Sequence, residues 1–328
     1  MMNWGSDVTV LCISDFNFLP GAYGLFNSLV CNGFEGKFRI IKINEFDDEE
    51  ICSHTQIEID QLYKKEGNFH NNVQRWNCFE KLSAGKYLFL DADIIVERPI
   101  GFLLDLIHQS VLVSKESEPK YDSYDILYQR QAKTVGYDPF ISKGDIGYIN
   151  GGLLGFSLPV HQKFIDELVK KSFDHLEDYL VCTEDPDWFF IDQDMLNVIL
   201  RGVECPVSVI SPRLLEMSNY PNDLFYNRSF PAEMQNNVYP KDQLKYIIHG
   251  AALRRPWLNS QSETFVSNIK KKLYNLGVTA LKKKPTPYER AWAYYTCSNN
   301  MPIPIDAWAQ KHKFSAYKNK FWRLAHGI

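Results

Sequence analysis

The sequence predicts an α/β protein, with a mixed, mostly parallel sheet flanked by helices and a C-terminal helical segment rich in basic and aromatic residues. Three observations predict it. Apolar, β-branched runs alternate with helix-like stretches over residues 8 to 90, the rhythm of β-α-β units in a sheet covered on both faces. The 328 residues are 45% hydrophobic, enough for one large domain or a domain with an appendage. The charge is unevenly divided: residues 258 to 328 hold 12 Lys and Arg against 3 Asp and Glu, leaving 24 against 37 in residues 1 to 257. A body over 1 to 257 and an extension over 258 to 328 follow from that division.

The segments "DVTVLCIS", "FRIIKIN" and "KYLFLD" read as strands, because β-branched and aromatic residues fill them. Between the first two, "PGAYGLFNSLVCNG" reads as a helix with Pro near its start and Gly at its end, and the acidic "FDDEEICSHTQIEIDQLYKK" is expected to form another. The apolar run "GDIGYINGGLLGFSLP" carries glycines inside a strand pattern, the mark of a bulge, a tight crossing or a close approach by a ligand. In "EDPDWFFIDQDMLNVILRG", Asp185 caps a helix, Pro186 lies in its first turn and Gly202 stops it. Phe189, Leu196, Ile199 and Leu200 supply the apolar face of that helix, so the adjoining Asp192, Gln193 and Asp194 point to a site or to a solvated face. Further on, "LKYIIHGAALRRPW" ends an apolar strand on His249 and continues into Arg254, Arg255, Pro256 and Trp257.

No apolar run reaches the roughly 18 to 20 residues that cross a bilayer, and the N-terminal residues lack a secretory pattern, so a cytoplasmic setting is the expectation. The seven cysteines never fall in a C-x-x-C pair, which suggests neither a zinc site nor a disulfide framework. An acidic body disfavours nucleic acid as a partner.

The chemistry is concentrated in "KYLFLDADIIVERP", residues 86 to 99. Asp91 and Asp93 follow a strand-like run, and residues i and i+2 of an extended chain share a face. Buried carboxylates need a counter-charge, and two on one face can share a divalent cation such as Mn²⁺ or Mg²⁺, which completes its shell with phosphate oxygens. His249 is a third candidate ligand, and the arginines after it suit bidentate phosphate binding. Metal and arginines together would neutralise a diphosphate.

These stretches resemble the retaining glycosyltransferases of family 8, which have a GT-A fold and include glycogenin and lipooligosaccharide galactosyltransferases. "FLDADIIV" resembles the family's metal motif, implying Asp91 and Asp93 as Mn²⁺ ligands, and "HGAALRRPW" resembles its closing motif, implying His249 as the third ligand and Arg255 as a diphosphate contact. Two departures stand out, Ala252 in place of Gly and Arg255 in place of Lys. "YINGGLLGF" implies Asn150 and Gly152 in the sugar pocket. "FIDQDMLN" implies Asp192 on the sugar hydroxyls and Gln193 beneath the anomeric carbon, with Asp194 beside them. "ISDFNFLPGA" is similar to the nucleotide-binding loop, implying that Asp15 and Asn17 hydrogen-bond the base and Phe18 stacks on it, and "VQRWNCFEKL" offers Arg75 as a phosphate or sugar contact. The segment 115 to 146, with Asp122, Asp125, Asp138 and Asp145, adds candidate sugar contacts in a donor-covering loop.

The implied activity is transfer of a hexosyl unit from a nucleotide diphosphate sugar, UDP-linked by resemblance, to a hydroxyl of a glycan or lipid-linked acceptor with retention. The rivals are a phosphatase of the haloacid dehalogenase type, a sugar nucleotidyltransferase and a GT-A-like domain that binds without turnover. The first needs a later lysine and a further acidic pair, and the second a basic Gly-rich loop that "SDFNFLPGAYG" lacks. For the extension, interleaved lysines and aromatic rings suit peripheral contact with an anionic membrane, packing on the body, or an oligomer interface.

Overall fold

The computed structural model describes residues 3–43, 46–62, 71–115, 131–133, 135–137, 146–174, 191–210, 215–217, 246–250, 287–297 and 300–304. Among these residues ten strands follow in chain order: β1 (Val8–Ser14), β2 (Lys37–Lys42), β3 (Ile57–Gln61), β4 (Gly85–Leu90), β5 (Ile94–Val96), β6 (Val111–Lys115), β7 (Ile149–Leu158), β8 (Val207–Ile210), β9 (Leu215–Met217) and β10 (Ile247–His249). The helices are α1 (Leu19–Cys31), the single turn α2 (Gly101–Leu104), α3 (Gln162–Asp174), α4 (Ile191–Gly202) and α5 (Pro287–Cys297), with a 3₁₀ segment over Asn71–Phe79.

Seven strands form one sheet in the order β3-β2-β1-β4-β7-β6-β8. All neighbours run parallel except β7, which is antiparallel to both β4 and β6. The sheet is therefore mixed and mostly parallel, as expected. Successive strand residues point to opposite faces. On β1, Val10 and Cys12 enter one core with α1 and α5, whereas Leu11 enters the other with α3, α4 and the 3₁₀ segment. Burial on both faces explains why β7 reads as a continuous apolar run.

A smaller sheet, β5-β10-β9, begins just beyond the end of β4. Its β5 begins three residues after Asp91, and β10 runs antiparallel to it with His249 opposite Ile94. This ribbon packs against α1, where Val96 N donates to Ser28 Oγ at 3.0 Å and Asn32 Nδ2 donates to Val96 O at 2.9 Å. Pressed between sheet, ribbon and α5, α1 is buried from Leu19 to Leu29, unlike a surface helix with one polar face.

One expected element differs. The acidic stretch after β2 forms a 3₁₀ turn over Asp48–Glu50 and then β3, which pairs with β2 at the sheet edge. The period is that of a strand, Ile57 and Ile59 alternating with Glu58 and Asp60, although Ile59 stays exposed at this edge. Glu58 meets Lys37 and Arg39 across the pair, each at 3.0 Å. Charged residues on such an edge also discourage pairing with another chain. Elsewhere, the α4 cap expected at Asp185 and the Pro186 turn lie outside the described residues, as do Phe189, Asp122, Asp125, Asp138 and Asp145. Leu196, Ile199 and Leu200 are wholly buried, each contributing about 1.5–3 kcal/mol of apolar transfer.

Within the C-terminal extension, the described residues dock on α1. Asn27 Nδ2 donates to the carbonyls of Tyr295 and Ile303 at 2.8 and 2.9 Å, and its Oδ1 accepts from Ile303 N at 2.9 Å. Trp292 Nε1 donates to Pro20 O at 3.0 Å. Tyr288, Trp292 and Tyr295 are buried, and Tyr294 is exposed. Asn27→Ala is expected to lower unfolding stability by about 2–3 kcal/mol, because it orphans buried backbone groups. Hydrogen exchange over residues 288–304 would report the loss.

Candidate active site

The parallel strands β1 and β4 end at the same edge of the sheet, and the antiparallel β7 begins there. Open α/β sheets place ligands at that edge, and it gathers most of the described candidate residues. Asp91 follows the last residue of β4. Its N–H donates to Gly152 O at 2.9 Å, and its carbonyl accepts from Ile94 N at 3.0 Å, a tight turn that presents Asp91 and Asp93 together. Gly250 N donates to the Asp93 carbonyl at 2.6 Å, so the residue after His249 is tied to the same turn.

Asp91, Asp93 and His249 offer ligand atoms that all lie within 4.8 Å of one another. His249 Nε2 stands 3.2 Å from Asp93 Oδ1 and 3.8 Å from Asp91 Oδ2. Asp93 and His249 are only 4% and 3% exposed, so this acid and the imidazole beside it are held where water screens them weakly. Burial pushes the Asp91 carboxyl upward, Arg75 opposes that shift, and the neighbouring Asp93 adds to it. Two hard oxygen donors and one imidazole fit Mn²⁺ or Mg²⁺. The donor set fits the expected ion.

Arg75 links this cluster to α4. Its guanidinium donates to Asp91 Oδ1 through Nη2 and to Asp192 Oδ2 through Nη1, and Nη2 also reaches Gly151 O at 3.2 Å. It lies over the rings of Trp76 and Phe89, 4.8 and 4.9 Å from their centroids. Burial disfavours its charge, but Asp91 and Asp192 more than offset this and hold the guanidinium above its ordinary pKa. The 3₁₀ segment is anchored by the same pairing, since Trp76 Nε1 donates to Asp192 O at 2.9 Å.

The first turn of α4 faces β7. Gly151 N donates to Gln193 Oε1 at 2.8 Å, and Gln193 Nε2 is buried without a hydrogen-bond partner among the described residues. Asn197, not anticipated from sequence, locks the two elements. It accepts from Ile149 N and donates to the carbonyls of Ile149 and Gln193, all at 2.8 Å. Its place at the end of "DQDMLN", one turn after Gln193, was the available signal. Asp194 is wholly buried and accepts from Tyr148 OH at 2.5 Å, a partner equally unmarked in the sequence.

Asn150 turns its Oδ1 onto Gly152 N at 2.8 Å. A Cβ at Gly152 would overlap the His249 imidazole, so only glycine fits against that ring. Gly152→Ala is expected to weaken Mn²⁺ binding about 10- to 100-fold, the range for a residue that orients a metal ligand, with the circular dichroism unchanged. A Mn²⁺ titration followed by electron paramagnetic resonance checks this.

At the end of β1, Asp15 accepts from Phe18 N at 2.9 Å and so caps the 3₁₀ turn Phe16–Phe18. Asn17 is exposed, and Phe18 packs partly against the first core. Ala252, Arg254, Arg255, Pro256 and Trp257 lie outside the described residues.

No protein-family model matches the sequence, and no curated protein matches it. Solved structures do. The galactosyltransferase LgtC, in complex with donor and acceptor sugar analogs, superposes with a TM-score of 0.53 at 15% identity, over 84% of this chain and 97% of that one. The fold is GT-A, of the kind seen in family 8 glycosyltransferases. An active-site mutant of LgtC aligns with a TM-score of 0.51 at 14% identity, over 87% and 99% of the two chains. The bifunctional glycosyltransferase WbbM aligns at 0.50 and 16%, over 85% of this chain and 52% of its own. In this GT-A protein the carboxylate and imidazole cluster occupies the strand-end edge, flanked by Arg75 and the start of α4.

Proposed function

We propose that the protein is a metal-dependent, retaining hexosyltransferase that takes its sugar from a UDP-linked donor and delivers it to a hydroxyl of a glycan or lipid-linked acceptor. The observation that carries this reading is the convergence of Asp91, Asp93 and His249 at the edge of a GT-A sheet, bridged by Arg75 to Asp192. Asp91, Asp93 and His249 would hold Mn²⁺ or Mg²⁺, which as a Lewis acid would stabilise charge on the departing diphosphate. Arg255 is assigned to the same diphosphate, and Asp15, Asn17 and Phe18 to the base.

Arg75 holds Asp192 in place by a charge-assisted hydrogen bond, leaving that carboxylate oriented for donor hydroxyls. Gln193 has its oxygen engaged by Gly151 and its buried amide nitrogen left for an acceptor atom, which a sugar oxygen supplies. An amide is a weak nucleophile, so we favour front-face attack, with the acceptor proton passing to the departing phosphate. Asp194, wholly buried against Tyr148, would act as a fixed negative charge behind the developing positive sugar rather than as a nucleophile. Asn150, Gly152 and Ala252 would line the donor pocket. In the extension, a peripheral membrane contact would bring a lipid-linked acceptor near, and salt-sensitive binding to anionic vesicles is its test.

The experiment for the activity is donor hydrolysis against a panel of UDP- and GDP-hexoses, with Mn²⁺ or with chelator, followed by the anomeric configuration of the released sugar. Metal-dependent release of UDP with retained configuration is expected. Release from no donor, or inverted product, would refute the reading.

A further inference from the structure

The three candidate metal ligands are carried on a turn and a ribbon rather than on the main sheet. Asp91 and Asp93 precede β5, and His249 ends β10, a strand of three residues. So short a ribbon is not stable by its own ladder and takes its position from what packs on it. On one side is α1, through Ser28 and Asn32. Against both α1 and the ribbon packs α5, which arrives from the far end of the chain.

Two contacts of α5 reach the ribbon. The ring of Tyr288, wholly buried, lies where a Cβ at Gly250 would stand 2.7 Å from its Cε1, so ring and backbone are in direct apposition. Gly250 is the residue whose N–H holds the Asp93 carbonyl and whose neighbour is His249. One turn later, Trp292 fills the space beside Gly24, where a Cβ would stand 2.7 Å from its Cδ1 and 3.3 Å from Ile95 Cδ1. The indole therefore sits at the contact between α1 and β5.

We infer that α5 positions the metal-ligand ribbon, with Tyr288 acting through Gly250 as a positioning residue for His249 and Asp93. The inference rests on the metal reading proposed above and deepens it: the C-terminal extension completes the site from outside the sheet. Without the ring, Gly250 and the carbonyl it holds are free to shift, and three ligand atoms within 4.8 Å no longer face one ion.

The test is Mn²⁺ titrated into the full chain in the presence of UDP, with free ion followed by electron paramagnetic resonance. Tyr288→Leu should weaken binding about tenfold or more, whereas Tyr288→Phe, which keeps the ring, should restore the parent affinity. Phe38→Leu is the control, an equal aromatic loss at a wholly buried position of the same core; it should leave the affinity within about twofold. A second measurement needs no substitution. Coupling is reciprocal, so Mn²⁺ with UDP should slow amide exchange in residues 288–297. Parent-like affinity in Tyr288→Leu overturns the inference while leaving the metal reading intact, as does exchange in α5 indifferent to Mn²⁺. If the unaltered chain binds no Mn²⁺, the metal reading fails and the inference fails with it. If Tyr288→Leu does not fold, the exchange result decides.

Discussion

Asp93→Asn is expected to lower Mn²⁺-dependent release of UDP from the donor by about 10³-fold or more, since a metal-bound leaving group is worth several kcal/mol of barrier and each 1.36 kcal/mol is tenfold. The substitution keeps the shape of a residue that is 4% exposed, and the backbone bond from Gly250 to the Asp93 carbonyl does not involve the side chain. The negative charge is removed, and one acceptor oxygen becomes an N–H donor. Because Asp93 raises the Asp91 carboxyl by repulsion, the metal-free variant should melt no lower than the parent, and a slight rise would fit. The stabilisation that Mn²⁺ gives the parent should disappear, since a ligand that binds only the native state raises stability with the logarithm of its free concentration relative to its Kd. A variant that retains Mn²⁺-dependent turnover would remove Asp93 from the site.

Arg75→Met should have the largest effect on stability. The substitution leaves the carboxylates of Asp91 and Asp192, whose side chains are 28% and 13% exposed, without their shared guanidinium. Breaking a buried ion pair by removing one partner costs about 3–5 kcal/mol, which corresponds to a fall in Tm of about 4–7 °C for a chain of this size. Methionine preserves contact with Trp76 and Phe89, so packing loss contributes little. Added Mn²⁺ should recover more stability in the variant than in the parent, because the cation then supplies the counter-charge Asp91 has lost. Arg75→Lys should recover charge without the two-pronged geometry, and so only part of the activity. Thermal unfolding with chelator and with Mn²⁺ checks both statements; a loss below about 1 kcal/mol would show that the bridge contributes little.

The parts of the site that could be read from sequence are those encoded locally. Asp91 and Asp93 lie two residues apart after an apolar strand, and His249 ends another, so their placement at strand ends follows from short patterns, although a tight turn rather than an extended chain brings the two carboxylates together. The two-faced burial of β7 and the polar start of α4 were legible for the same reason. The stretch that became β3 misled because acidic composition resembles a helix, while the deciding alternation of Ile57 and Ile59 spans only a few residues. Arg75 was visible as a candidate, but its bridge joins residues 16 and 117 positions away, a relation only the fold creates. The extension is a similar case: Tyr288, Trp292 and Tyr295 fill the core beside α1, and no local feature separates a core aromatic from a surface one.

The most direct test of the central claim is anomalous diffraction at the manganese edge from crystals grown with Mn²⁺ and UDP. A peak enclosed by the carboxylates of Asp91 and Asp93 and the imidazole of His249, with UDP phosphate oxygens completing its shell, is the expected result. UDP bound with no peak there, or an ion held by other residues, would contradict the account.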